Sequence, residues 1–162
     1  MYLMGCQSPN VATTNDEDEP TWSFKNLQWQ GVHDGKAYAL HAKSLKHFET
    51  RVEGKNVTFS IQTKTEEVTG EAQSTQFIQA AQEVTFQGLT LETQQLGTFR
   101  STEGSIDLTQ SEAKLIELNG VLRNPILELR TPEAILRLNP DDTLSLETST
   151  LNGRLPSTSG SP

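Results

Sequence analysis

The chain has 162 residues, 33% of them hydrophobic and 6% aromatic, with a net charge of −8. That length suits one domain with a real core, and the acidic balance argues against a nucleic-acid scaffold. No run of about 18 apolar residues exists to span a bilayer as a helix, and the single cysteine, Cys6, excludes an internal disulfide.

The lean apolar content does not signal disorder, because apolar residues alternate with Thr, Gln and Ser too regularly. Alternation needs only one face buried, which suits an open or hollow β structure.

Leu3-Met4-Gly5-Cys6 opens the chain and resembles the end of a lipoprotein signal, in which the cysteine is acylated. Residues 7–20 are polar and carry the acidic run Asp16-Glu17-Asp18-Glu19, the composition of a flexible tether. Residues 1–21 are therefore expected to form an anchor and disordered tether, 22–153 a β domain, and 154–162 a disordered tail.

Trp22, Phe24, Leu27 and Trp29 suggest a first strand, closed by Gly31 and a hairpin turn at Asp34-Gly35, where both residue types tolerate positive φ. Tyr38, Leu40 and Ala42 share one face of the next run. Residues 42–48 could make a helical turn, and residues 72–81, the one segment that could be helical, are read as strand or loop. Glu53-Gly54-Lys55-Asn56 reads as a turn into the clearest strand, in which Val57, Phe59 and Ile61 point one way and Thr58, Ser60 and Gln62 the other.

Residues 66–70 read as another break. The motif returns at Val84 and Phe86, and resumes at odd spacing with Leu89 and Leu91, so Gly88 marks a bulge or tight bend. Short alternating pieces follow at 96–99, 104–108 and 114–118, the last leading into Asn119-Gly120. In the last third, Leu127 and Leu129 form one run, and Ala134, Leu136 and Leu138 another. Pro125 and Pro132 are placed at strand starts, and residues 139–142 turn the chain. Ten or more short strands with frequent turns predict an all-β sandwich, barrel or jelly roll.

No catalytic constellation is visible. His33, His41 and His47 lack metal-ligand spacing, and neither a nucleophile elbow nor a phosphate-binding loop occurs. Asp141-Asp142 has the form of a turn more than of a calcium site, and Asn56-Val57-Thr58 matches a glycosylation acceptor. A carbohydrate-active enzyme would need a carboxylate pair across a cleft, and no aromatic-flanked pair is present. Between Asp34 and Lys64, six Lys or Arg face three acids. That run reads either as a solvated face or as a rim attracting an anionic headgroup.

The segment Gly35-Lys-Ala-Tyr38-Ala-Leu-His-Ala42 resembles one that opens the LptC family. Residues 84–93, 118–121 and 127–134 resemble the repeats of lipopolysaccharide-export proteins with OstA-like β-jellyroll domains. The resemblance spans about residues 22–153.

It implies a single curved, V-shaped β-jellyroll in the periplasm that relays lipopolysaccharide from an inner-membrane ABC transporter towards the outer membrane. It implies no enzyme activity and no cofactor. Other OstA-like jellyrolls would join by edge-strand addition. The family's anchor is a transmembrane helix, for which a lipid on Cys6 would substitute here.

On that reading Trp29, Tyr38, Leu40, Val57, Phe59, Ile61, Val84, Phe86, Leu89, Leu91, Leu127, Leu129, Leu136 and Leu138 line an acyl-chain trough. Lys36, Lys43 and Lys46 would meet the headgroup. The alternative is a structural or adhesin-like β protein whose apolar face packs on itself and whose partners are proteins met at strand edges.

Overall fold

A computed structural model describes residues 19–148, 150 and 152–154. The expected anchor at Cys6, most of the expected tether and the expected tail beyond 154 lie outside the described residues. Within them every regular element is a strand: β1 (Trp22–His33), β2 (Lys36–His47), β3 (Arg51–Gln62), β4 (Glu67–Ile78), β5 (Glu83–Thr93), β6 (Gly97–Asp107), β7 (Glu112–Arg123), β8 (Ile126–Leu138), β9 (Leu144–Thr148) and β10 (Asn152–Arg154).

Each strand pairs antiparallel with the next, from β1 to β8, in one sheet. β9 and β10 pair successive parts of β8 in a single register, so they are two pieces of one ninth strand. The sheet is open, because β1 pairs only with β2. The hairpin at Asp34-Gly35 forms as expected, with φ of 48° and 74°, the double positive φ that matches the twist of paired strands.

Several expected breaks are absent. Residues 42–47 are strand rather than a helical turn, and 72–78 are strand, in line with the strand-or-loop reading. Glu53 to Asn56 lies inside β3, Asn119-Gly120 lies inside β7, and the break expected at 66–70 is confined to 63–66, with β4 starting at Glu67. The two runs of the last third are one strand, β8, with Pro132 at its middle rather than at a start. The first eight strands are therefore long, at 11 to 13 residues each.

The false breaks at residues 53–56 and at Pro132 share a cause with the slip at Gly88. Every ladder from β1 to β8 is interrupted where Asn26, Lys43, Asn56, Gln73, Gly88, Thr102, Glu117 and Pro132 meet in register. On alternate strands the residue in this row is left-handed: Asn26 at 54°, Asn56 at 47°, Gly88 at 62° and Glu117 at 50°. Glycine and asparagine accept that conformation most readily.

A transverse seam thus crosses the sheet. It turns two successive side chains outward in each strand, so the inward residues on either side are three apart, as with Phe86 and Leu89 or Leu115 and Leu118. On β6 and β8 buried hydroxyls serve the seam's backbone. Ser101 donates to the Glu103 carbonyl at 2.7 Å, and Thr131 to the Glu133 carbonyl at 2.9 Å.

The seam lets opposite rims meet. Thr65, in the β3–β4 turn, donates to the Asp142 carbonyl at 3.3 Å, and Lys36 Nζ lies 3.1 Å from Asp142 Oδ1. Asp142 belongs to the β8–β9 turn, at the other end of the strands from Lys36 and Thr65. A flat strand of this length would hold its ends about 35 Å apart at 3.3 Å per residue, so the sheet bends between them.

Bending is also what buries a core in a one-sheet protein. Leu118 at 0%, Phe99 and Leu115 at 1% and the rest of the core cluster come from β4 to β8, and a single flat layer would leave them wet. At one rim the buried Glu66 carboxylate accepts the Gln94 and Gln95 N–H groups at 2.6 and 3.2 Å, tying two turns together. That pairing satisfies a charge whose burial alone would be costly.

Candidate functional site

The inward face is the chemically distinctive surface. In register across the sheet, Trp29, Leu40 and Phe59 stand side by side and lead on to Gly70, Leu91 and Phe99. The same row ends at Gly120 and Leu129. On the far side of the seam a second row runs from Phe24 through Leu45 and Gly54 to Thr75 and Phe86. Large side chains lie over glycines within these rows, Phe59 over Gly70 and Phe86 over Gly104, which keeps the face smooth.

The registers place all fourteen expected trough residues on this one face. Their exposure divides them. Val57, Phe86, Leu89, Leu91, Leu129 and Leu136 are buried in the core. Tyr38, Leu40, Phe59, Ile61, Val84, Leu127 and Leu138 are half-buried, and Trp29 is exposed. Between β4 and β8 the face is thus filled by its own side chains, as the packing alternative anticipates.

At the β1 end it is not filled. Trp22, Phe24 and Trp29 are 40%, 50% and 53% exposed. Trp22 stacks on His47 at 4.6 Å and leans on Phe24 at 5.1 Å, so these rings cover one another only in part.

The lysine candidates separate. Lys36 is held by Asp142 at the rim, whereas Lys43 and Lys46 are exposed, Lys43 in the seam row and Lys46 on the outer face. The outer face carries two open grooves. One of about 570 Å³ is of mixed lining, with Glu53, Lys55, Gln76, Thr85 and Glu103 beside Phe86 and Ile116. Another of about 620 Å³ runs along Gln28, His41 and Thr58, over the backbone of the Trp29–Leu40–Phe59 row.

No group of three or more His, Cys, Asp or Glu among the described residues could hold a metal. Two of the shifted titrations are local turn effects. A hydrogen bond from the Thr143 hydroxyl, reinforced by its N–H, holds Asp141 below the usual 3.8, and the Thr109 hydroxyl does the same for Asp107. The Arg137 guanidinium is raised by its bonds to Glu112 and Glu147, which tie β7, β8 and β9 together on the outer face.

The expected trough left out the inward residues beside the seam, among them Leu27, Ala42, Leu45, Ala72, Leu115 and Leu118. The signal that finds them is the three-residue slip, repeated in every long strand, between inward positions. No protein-family model matches the chain, and no curated protein matches it.

Proposed function

We propose that this protein is a lipid-binding module, a V-shaped β-jellyroll of the lipopolysaccharide-export kind, that shields acyl chains on its inward face while they pass through water. It acts in the periplasm, taking lipopolysaccharide or a similar lipid from an inner-membrane transporter towards the outer membrane. The reading rests chiefly on one observation, an apolar face left open along β1 and only half-covered at Leu40 and Phe59, which stand in one row with the exposed Trp29.

Capture there needs no catalysis, because each methylene taken out of water contributes about 0.8 kcal/mol. A few carbons of one chain against Tyr38, Leu40 and Phe59 suffice for retention. Deeper occupation, among Leu89, Leu91 and Leu129, requires the packed half of the face to part.

The test is saturable binding of a fluorescent fatty-acyl probe, displaced by lipopolysaccharide. Leu40→Asp and Phe59→Asp should abolish it, while Thr58→Asp, on the outer face, should leave it intact. Absence of saturable binding, or equal loss in all three variants, would remove the reading.

A second reading, a structural β protein with protein partners, is favoured by the close packing from β4 to β8 and by the unpaired edge of β1. It predicts no acyl-probe binding, together with concentration-dependent association that a proline placed in β1 abolishes.

A further inference from the structure

We propose that the β1 edge docks on an anionic bilayer surface, with lysines of the outer face against the headgroups and the edge aromatics at the interface. Lys25, Lys43, Lys46 and Lys55 are all exposed and sit in neighbouring register positions. Lys25 and Lys55 both lie across from Ser44, Lys46 lies across from Ser23, and Lys43 takes the seam position beside Ser44. With strands about 4.8 Å apart, the four Cα atoms fall within roughly 10 Å of one another.

Four of the seven lysines in the chain are gathered here, although the net charge is −8. None of the four has an ion-pair partner among the described residues. The acid across from Lys46, Glu53, is taken by Arg51 at 2.8 Å, and Glu49 lies in the turn beyond. A concentration of unpaired cations on an acidic protein sets up a local field that selects an anionic partner.

The opposite side of the same edge decides what kind of anion carrier fits. Trp22, Phe24 and Trp29 project there and are largely uncovered. Tryptophan and phenylalanine beside lysine make the pairing that settles at a membrane–water boundary, rings at headgroup level and ammonium groups on phosphates. A soluble polyanion would engage the lysines alone. This inference goes beyond the acyl-binding reading and does not rest on it.

The experiment is co-sedimentation of the full chain, with Cys6 unacylated, on vesicles of phosphatidylglycerol and phosphatidylcholine against phosphatidylcholine alone. Binding should appear only with the anionic lipid, weaken with added salt, and shift tryptophan emission to the blue. Each of Lys25→Gln, Lys43→Gln, Lys46→Gln and Lys55→Gln should lower partitioning roughly fivefold, since a lysine near such a surface is worth that much.

Lys64→Gln and Arg100→Gln remove the same charge elsewhere and should change it less than about twofold by the same reasoning. Trp22→Ser with Phe24→Ser should weaken vesicle binding and leave lysine-dependent binding of soluble polyphosphate unchanged. Equal binding to neutral vesicles, equal effects of patch and control variants, or indifference to the aromatic substitutions would overturn the proposal. Acyl-probe binding at Phe59 should survive the lysine variants, so the two readings fail separately.

Discussion

Lys36, at the start of β2, and Asp142, past the end of β8, form an ion pair of 3.1 Å although six strand steps separate them in the sheet. Laid flat, those strands would stand about 29 Å apart at the usual 4.8 Å spacing. The pair is a direct marker of the bend that brings opposite rims together. Both side chains are about three-quarters covered, so a double-mutant cycle with Lys36→Gln and Asp142→Asn should give a coupling of about 0.5–1 kcal/mol. Urea unfolding measures it, and a coupling of zero would mean the rims do not meet in solution.

The seam makes a prediction of opposite signs at two positions. Glu117 holds φ at 50° without the tolerance of asparagine or glycine, so Glu117→Gly should stabilise the protein by about 0.5–1 kcal/mol. Asn56 holds 47°, and Asn56→Val, β-branched in a left-handed position, should cost about 1–2 kcal/mol. Denaturant midpoints decide both, and if the two substitutions moved stability the same way the left-handed seam would not be the cause.

Close approach inside the Trp29–Leu129 row gives a third test. A Cβ on Gly70 would run into the Phe59 ring, so Gly70→Ala should cost about 1–3 kcal/mol through overpacking. Combining it with Phe59→Leu should recover part of that loss, because the clash is with the ring. Simple addition of the two effects would place the strain elsewhere.

The pH response of the turns follows from their hydrogen bonds. Asp141 titrates below 3.8 when folded because Thr143 donates to it. A depressed folded value contributes stability that is complete above the unfolded value and lost as pH falls through the folded one. Thr143→Val removes the hydroxyl donor, so the Asp141 carboxyl followed by NMR should titrate at higher pH than in the parent. An unchanged titration would contradict the assignment.

Much of the architecture was legible in the residues. Val57, Phe59 and Ile61 alternate against polar neighbours because a strand with one buried face must, and Asp34-Gly35 announces its hairpin by backbone tolerance alone. The all-β class and the single apolar face follow from those local rules.

The seam was legible only at Gly88, where glycine advertises it. At Asn56 and Pro132 the same phase slip carries residues typical of turns, and long strands read as pairs of short ones. The Lys36–Asp142 contact had no local signature, since it depends on how far the whole sheet bends. Nor did alternation distinguish Leu91, packed in the core, from Leu40, left half-covered near the edge. That difference comes from which strands lie opposite each other after bending.

The most direct measurement of the acyl-carrying account is photo-crosslinking in cells or with purified lipopolysaccharide, using probes at adjacent positions of β3. Phe59 faces the inward side and Thr58 the outward side. The account predicts lipid adducts at Phe59, and likewise at Leu40, with none at Thr58 or His41. Equal labelling on both faces, or none at Phe59 and Leu40, would contradict it.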